Sequence, residues 1–365
     1  MANSELKQKQ QQEHFLVRAW YQQSFWLYLL LPLSCLYGLL IGLRHKFFQW
    51  GWLPSAASAV PLIVVGNIAV GGTGKTPLVV ALVQALQQAG FKPGIVSRGY
   101  GSQAPSYPYW VQADDSPSNC GDEPLLMALR TQVPVVIDAN RRAAVKHLLA
   151  HSDCDVIIAD DGLQHYALQR DIEIVVVDGK RGFGNRLLLP AGPLRETVSR
   201  IARADYVVVN GGGLTQVLPD RKTPLAEQTM QLRGQALIGL HSVDDTSNTI
   251  EVAAWPYSKQ VHAVAGIGNP QRFYTSLRQA GFNPVEHSFA DHHDFTAEDL
   301  QFDDQLPVIM TEKDAVKVRF IEGLSDELQR RCWYLPVEAV IDEAFYTAII
   351  AQLHSKILPA KKQSI

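Results

Sequence analysis

The stretch LIVVGNIAVGGTGKT, residues 62–76, decides the fold of this 365-residue chain. It begins as a short β-branched run, continues as a glycine-rich loop and ends in Lys75-Thr76. Pro77 then opens LVVALVQALQQAG, whose apolar spacing is helical and which ends at Gly90. A strand, a tight loop and a helix in this order direct the loop amides and the helix N-terminus at one point, which predicts an anion site.

This loop fits the phosphate-binding pattern G-x4-G-K-[ST] except at its first position, where Ala69 replaces glycine. We expect Lys75 to hold the β and γ phosphates of a nucleotide and Thr76 to bind Mg²⁺. A glycine-rich turn that exposes a lysine is the alternative, and the order of strand, loop and helix argues against it. The predicted nucleotide-binding residues are Gly71, Gly72, Thr73, Gly74, Lys75 and Thr76.

Charge and cysteine content exclude several classes of protein. The 33 Lys and Arg residues and 36 Asp and Glu residues give a formal net charge of −3, so we expect no nucleic-acid partner. The four cysteines form no CxxC pair, which argues against a zinc or redox centre and favours a reducing cytosol. With 47% hydrophobic residues, the chain can bury the cores of about two domains.

The N-terminal region contains nineteen uncharged residues, Phe25–Leu43, with aromatic residues at both edges and Arg44 and Lys46 directly after. This pattern predicts a membrane-associated helix that either spans the bilayer or lies in its interface. Pro32 is expected to kink it. A buried core helix is the main alternative. A cleaved signal peptide fits poorly, because the small residues 57–59 lie far beyond the apolar run.

Further apolar runs alternate with helical stretches after the loop, which predicts a parallel sheet covered on both faces. Ligands of such sheets bind at the carboxyl ends of the strands. Asp160 and Asp161 follow one run directly and predict a second Mg²⁺ contact, with a plain Asp-Gly turn as the alternative. Another run ends at Ser97-Arg98-Gly99-Tyr100-Gly101, which offers an arginine for an anion and a ring for a sugar, or a surface turn.

Asp122 precedes the helical stretch LLMALR, where it is either the helix N-cap or a carboxylate that accepts the proton of an attacking hydroxyl. The His292-His293 pair lies in a turn without a third metal ligand at fitting spacing, so no zinc site is predicted. Thr311-Glu312-Lys313-Asp314 follows a strand, which places it either in an interdomain cleft or on the plain surface.

These segments predict an α/β chain in which a P-loop NTPase-like parallel sheet domain is joined to a second, smaller α/β domain. The weaker pattern between the domains predicts a β linker. The predicted ranges are 13–54 for the membrane-associated segment, 55–232 for the P-loop domain, 233–257 for the linker and 258–355 for the smaller domain.

Seven motifs together resemble the tetraacyldisaccharide 4′-kinase family of lipid A biosynthesis: GNIAVGGTGKTP, SRGYG, GDEP, DDGLQH, LPAGPLRE, DHH and TEKDAVK. They extend over nearly the whole chain. The resemblance implies a kinase that uses ATP and Mg²⁺ to phosphorylate the 4′-hydroxyl of an acylated glucosamine disaccharide 1-phosphate. It also implies work at a membrane surface, the cytoplasmic face of the bacterial inner membrane, and no obligate protein partner.

Carried over by position, the resemblance makes Asp122 the base, acting with His292, while Lys75 keeps its catalytic role at the loop. His292 is preferred to His293 because it follows Asp291 directly. The implied metal and nucleotide-side residues are Thr76, Asp160, Asp161 and Gln164, and the implied substrate contacts are Arg98, Gly99, Tyr100, Arg195 and Glu196.

Two other functions remain open to the residues alone. A P-loop ATPase switch that acts on a protein partner would need neither a lipid nor the Asp122 base. A soluble kinase of a small metabolite would use the N-terminal apolar helix only as core.

Overall fold

A computed structural model describes residues 16–212, 226–240 and 249–361, which form two sheets covered by helices. The first sheet has nine strands in the order β15-β8-β7-β6-β1-β5-β2-β4-β3. Its strands are β1 (Leu62–Gly66), β2 (Pro93–Ser97), β3 (Tyr109–Trp110), β4 (Val135–Ile137), β5 (Val156–Asp160), β6 (Ile172–Asp178), β7 (Tyr206–Asn210), β8 (Ala226–Arg233) and β15 (Glu338–Val340). All neighbours pair in parallel except the antiparallel edge strands β3 and β15.

The centre of this sheet is buried on both faces, as its continuous apolar runs predict. Every residue of β1, β2, β5 and β6 is buried. Because these neighbouring strands are parallel, their carboxyl ends lie at the same edge of the sheet, where the phosphate loop follows β1. The helices of this part are α1 (residues 16–22), α2 (Leu31–Gln49), α3 (Lys75–Gln88), α4 (Pro117–Cys120), α5 (Asp122–Thr131) and α6 (Arg141–His151), with 3-10 turns at Phe25–Leu30 and Val198–Arg203.

The second sheet has six strands in the order β10-β9-β14-β13-β11-β12. Its strands are β9 (Ala236–Gly239), β10 (Thr249–Glu251), β11 (Gln260–Ala265), β12 (Asn283–Ser288), β13 (Val308–Thr311) and β14 (Cys332–Leu335). Strands β11 to β14 are parallel, and β9 and β10 are antiparallel additions at one edge. Its helices are α7 (Pro270–Gln279), α8 (Glu312–Val318) and α9 (Asp326–Arg331), with 3-10 turns at Val252–Ala254 and Glu298–Leu300.

Strand pairing differs from the predicted domain ranges at two places. The segment expected to be a linker, 233–257, contributes β9 and β10 to the second sheet. The last part of the range 258–355 returns to the first sheet, where β15 pairs with β8. The final helix, α10 (Glu343–Lys361), follows and buries Phe345, Ile349 and Leu353 in the core of the first domain. These three apolar residues recur every four positions, so they lie on one face of α10, and burial of that face against the first core explains the return of the chain.

The N-terminal helix α2 contacts the first domain along a single stripe. Ser34 Oγ donates to the carbonyl of Leu188 at 2.9 Å, and Tyr37 Oη donates to that of Arg195 at 3.3 Å. Pro32 lies in the first turn of α2, where its missing N–H costs nothing, directly after the change from the 3-10 turn Phe25–Leu30 to the α-helix. The predicted kink stays a prediction. The apolar residues of the other face are exposed, and the segment Phe25–Gln49 is long and apolar enough to cross a membrane.

Candidate active site

The phosphate loop is braced by two buried asparagines. Asn67 Nδ2 donates to the carbonyl of Ala69 at 2.7 Å, and Asn210 Nδ2 donates to that of Thr73 at 2.9 Å. Gly74 has φ +96°, and a Cβ there would lie 2.4 Å from Asn210 Nδ2, so only glycine fits. Asn210 was not predicted from the sequence, because it ends β7, a strand far from the loop in the sequence and two places from β1 in the sheet.

Asp161 lies between two cations at the end of β5. Its carboxylate is 3.4 Å from Lys75 Nζ and 3.0 Å from Arg195 Nη1. Burial alone would raise the pKa of Asp161, but Lys75 and Arg195 together hold it below its ordinary value. Asp161 is therefore an anion at neutral pH, and a phosphate in the loop shares the Lys75 ammonium with it.

Asp160, the last residue of β5, offers the chemistry of a cation ligand. Ser97 Oγ donates to Oδ2 at 3.0 Å, whereas the buried Oδ1 has no hydrogen-bond partner among the described residues. Burial and the nearby Glu123 raise the pKa of Asp160 to about 6. The described residues contain no cluster of three or more Asp, Glu, His or Cys arranged as a metal site. A carboxylate and the Thr76 hydroxyl nevertheless suit Mg²⁺, which fills its other positions with water and phosphate.

Gln164 and Glu196 occupy a buried network beside the loop. Gln164 Nε2 donates to the Glu196 carboxylate at 2.8 Å and to the Asn67 carbonyl at 3.1 Å. Tyr166 Oη donates to the other Glu196 oxygen, which also lies 3.3 Å from Arg200 Nε. In this arrangement the two side chains brace the loop, and the metal and substrate contacts inferred for them stay predictions.

Asp122 and His292 come from different domains and form a hydrogen-bonded pair. His292 Nδ1 is 3.0 and 3.1 Å from the two Asp122 carboxylate oxygens. Asp122 is the first residue of α5, and Gly121 is the N-cap, so the N-cap reading of Asp122 is wrong. His293 instead pairs with Asp299 at 3.1 Å, which leaves His292 as the histidine that meets Asp122.

Two lysines of α8 complete the surroundings of Asp122. Lys313 Nζ lies 3.1 Å from both Glu123 and Asp291 and 3.9 Å from Asp122 Oδ2, and Lys317 Nζ lies 3.8 Å from the same oxygen. Burial would raise the pKa of Asp122, but Lys313, His292 and Lys317 hold it well below its ordinary value. The segment TEKD therefore lies in the cleft, one of its two predicted places.

Burial and Lys313 both lower the pKa of His292, but its hydrogen bond to Asp122 outweighs them and leaves the pKa above the ordinary value. The Asp122 carboxylate thus stays ionised and favours the protonated form of the imidazole beside it, so the two groups act as a unit. Such a unit can accept a proton from a hydroxyl group placed beside it.

Two arginines of the first domain bind the second domain and clamp the two together. In the first contact, Arg130 Nη1 donates to both Glu312 oxygens at 2.9 and 3.0 Å. In the second contact, Arg181 Nη1 donates to the Gly268 carbonyl at 2.8 Å, next to the phosphate loop. Arg130 and Arg181 were not predicted from the sequence, since an isolated arginine carries no signal of its partner.

The remaining predicted substrate residues lie at the mouth of the cleft. Arg98 and Tyr100 are exposed beyond the end of β2, and the Tyr100 ring lies 5.1 Å from the His292 ring. Gly99 has φ +64° and packs against Ile137, which fixes the bend between them. The turn therefore brings the Tyr100 ring beside the Asp122 and His292 pair, whereas the contacts expected of Arg98 stay a prediction.

Known proteins of one family are similar to this chain over nearly its whole length. The family model of the tetraacyldisaccharide-1-P 4′-kinase, LpxK, matches residues 26–354. The tetraacyldisaccharide 4′-kinase of Psychrobacter cryohalolentis is 44% identical over 360 residues, covering 94% of this chain and 96% of the relative. That of Hahella chejuensis is 46% identical over 342 residues, covering 92% and 96%.

A crystal structure of LpxK from Aquifex aeolicus in complex with ATP is similar to the fold described above. Its TM-score is 0.74 at 28% sequence identity, covering 90% of this chain and 100% of that chain. The match to the family model and the near full-length similarity to two kinases together place the protein: the chain belongs to the tetraacyldisaccharide-1-P 4′-kinase family.

Proposed function

We propose that the protein transfers the γ-phosphate of ATP to the 4′-hydroxyl of a tetraacyldisaccharide 1-phosphate in lipid A biosynthesis. The single observation that carries this proposal is the Asp122 and His292 pair, held in a cleft next to a phosphate loop. A nucleotide hydrolase has no need of a second domain that delivers such a base. The family membership supplies the identity of the lipid acceptor.

On the nucleotide side, Lys75 and the amides of the loop bind the phosphates of ATP, and Arg195 adds positive charge beside Asp161. Mg²⁺, when bound, neutralises charge that develops on the transferred phosphoryl group. Thr76 and Asp160 are the residues that would hold it, since Asp160 Oδ1 is a buried oxygen without another partner among the described residues. These groups position the γ-phosphorus for attack from the cleft.

On the acceptor side, the 4′-oxygen attacks the γ-phosphorus while the bond from phosphorus to the β,γ-bridging oxygen breaks, and ADP leaves. The hydroxyl proton passes to the Asp122 and His292 unit. Lys313 and Lys317 keep Asp122 ionised before the transfer. Tyr100, whose ring lies beside His292, supplies a face for the sugar of the acceptor.

The N-terminal helix brings the enzyme to its lipid at the cytoplasmic face of the inner membrane. Its stripe of domain contacts extends from Ser34 to His45, about 17 Å along the helix axis. A helix bound to protein over this length has little left to cross a hydrocarbon core of about 30 Å. We infer that α2 lies in the interface with its exposed leucines in the acyl chains.

The test is to incubate the detergent-solubilised protein with γ-labelled ATP, Mg²⁺ and a tetraacyldisaccharide 1-phosphate, with Lys75→Ala as the blank. Label on the lipid that vanishes in the blank is the expected result. Labelled free phosphate without labelled lipid would overturn the proposal and favour an ATPase switch. Retention of full activity and complete solubility after deletion of residues 1–50 would instead favour a soluble enzyme.

A further inference from the structure

A second pocket lies between the N-terminal helix and the first domain. It has a volume of about 180 Å³ and is formed by Gly42 and His45 of α2 on one wall and by Ser199, Arg200 and Arg203 on the other. This volume far exceeds the room needed for one water molecule. None of its lining residues belongs to the phosphate loop or to the Asp122 and His292 pair.

The polar wall of this pocket contains an incompletely satisfied arginine. The Arg200 side chain is only 8% exposed and contacts Glu173 through Nη2 at 2.5 Å. Its Nη1 is buried and has no hydrogen-bond partner among the described residues. Arg203 stands beside it and donates from Nη1 to His45 Nε2 at 3.1 Å. Arg203 is exposed and Arg200 also lines the pocket, so this wall presents positive charge to a ligand with acceptor oxygens.

The helix wall of the pocket is kept open by a glycine. A Cβ at Gly38 would lie 2.8 Å from Leu188 Cδ1, so that position allows close approach of the helix to the domain. A Cβ at Gly42, one turn further, would meet no described atom within 4 Å. Glycine in a helix interior costs about 1 kcal/mol relative to alanine, and packing against protein does not require it at Gly42. The space beside Gly42 therefore suits an occupant other than the protein.

The position of the pocket identifies the chemistry of that occupant. His45 lies about 8 Å along the helix from Trp50, and Trp50 and Trp52 are exposed aromatic residues of the kind that mark the headgroup level of a bilayer. The apolar Ile41 and Leu188 also line the pocket, and the charged lining residues are two arginines and one buried glutamate, Glu196.

From these contacts, we propose that the pocket binds the phosphate group of a membrane lipid through Arg200 and Arg203. The group is either the phosphodiester of a bilayer phospholipid or the 1-phosphate of the acceptor. The second source rests on the proposed kinase function, whereas the first does not.

Two variants test the pocket without touching the buried Arg200. Gly42→Leu fills the space, with Gly42→Ala as its small control. Arg203→Gln removes a lining charge, with Arg44→Gln as its control, since Arg44 is an exposed arginine of α2 that does not line the pocket. Circular dichroism melting shows that each variant is folded.

The first measurement is partition of each protein onto phosphatidylglycerol vesicles and onto phosphate-free galactolipid vesicles with the same acyl chains. The second is the KM for the disaccharide lipid in phosphate-free detergent. We expect Gly42→Leu and Arg203→Gln each to weaken lipid-phosphate binding about tenfold, and the two controls to change it much less.

Loss of the preference for phosphatidylglycerol with an unchanged KM identifies the bilayer phospholipid. A raised KM with unchanged vesicle binding identifies the 1-phosphate of the acceptor. The proposal is wrong if both quantities stay at the wild-type value in folded Gly42→Leu and Arg203→Gln, or if Arg44→Gln matches Arg203→Gln. Vesicle binding requires no turnover, so this outcome is independent of the kinase assay.

Discussion

Replacing Lys313 by methionine removes a charge beside the proton-accepting pair while keeping a side chain of similar length. Lys313 Nζ is 3.9 Å from Asp122 Oδ2 and 3.4 Å from His292 Nε2. The ammonium lowers the pKa of both groups. Methionine therefore raises both pKa values, and the protonated form of the pair persists to higher pH.

The size of the effect follows from the distance to Asp122. Two unit charges 3.9 Å apart interact by about 4 kcal/mol at an effective dielectric constant of about 20. This energy corresponds to about three pH units at 1.36 kcal/mol per unit. Water and side chains that rearrange around the smaller charge of the variant screen this interaction, so we expect a change of roughly one to two pH units.

The assay is the pH dependence of kcat/KM for the lipid at saturating ATP. Asp122 works as a carboxylate, so activity falls as the pH drops through the pKa of the pair. In Lys313→Met this fall begins at higher pH. Lys313→Arg keeps the charge, so we expect the acid limb of its kcat/KM profile to match that of the wild type. Lys146→Met, at an exposed position of α6, controls for loss of a lysine. An acid limb of Lys313→Met that superimposes on the wild-type limb refutes the electrostatic argument.

Four further predictions concern the pair, the clamp, the buried carboxylate and the C-terminal helix. Asp122→Asn and His292→Ala each lower kcat by about 10²- to 10⁴-fold, the range of general-base catalysis, while ATP affinity measured by calorimetry stays near wild type. Arg130→Met leaves the Glu312 carboxylate without its cation and destabilises the protein in thermal melts by about 1–3 kcal/mol, and adding Glu312→Leu recovers part of this loss. Asp160 has its pKa raised from 3.8 to about 6, so the ligand-free protein loses stability as the pH rises through that window, and Asp160→Asn raises Tm at pH 8 while weakening Mg²⁺-dependent nucleotide binding. Phe345→Ala lowers the free energy of unfolding by about 3–5 kcal/mol in urea titrations, because this ring is fully buried in the first core.

Each of these predictions has a result that contradicts it. Normal turnover of Asp122→Asn would remove Asp122 as the base. Equal losses in Arg130→Met and the double variant would mean that the ion pair contributes nothing beyond the arginine stem. A Tm of Asp160→Asn that does not exceed the wild-type Tm at pH 8 would show that burial of the charged Asp160 carboxylate does not destabilise the protein. A small decrease in the free energy of unfolding of Phe345→Ala would mean that the C-terminal helix contributes little to the first core.

Much of the first sheet was predictable because its strands are buried on both faces and read as uninterrupted apolar runs. The run Leu62-Ile63-Val64-Val65 and the observed strand Leu62–Gly66 differ by a single residue. The crossing of the chain back to the first sheet was not predicted, since the three residues of β15 are too few to show a period. The apolar spacing of Phe345, Ile349 and Leu353 was the available signal.

The candidate site was predictable where a motif fixes local geometry and not where distant segments meet. The loop around Lys75 and the residue Asp122 each stand in a motif with its own chemistry. Asn210 and Arg130, by contrast, acquire their roles only from neighbours that folding brings to them. The docking stripe of α2 has a faint signal in retrospect: small or polar residues recur at helical spacing within its apolar run, namely Ser34, Tyr37, Gly38, Gly42 and His45.

The pairing of β15 with β8 makes the second domain an insertion into the first, with an outgoing and a returning connection. Arg233 and Glu338 are direct partners in this ladder, so both connections leave the first sheet side by side. A domain joined by a single connection can rotate about several axes. Two adjacent connections restrict the relative motion of the domains mainly to rotation about one hinge axis. Any opening of the cleft would then carry His292 away from Asp122 and back along a single arc, so each closure restores the same alignment of the pair.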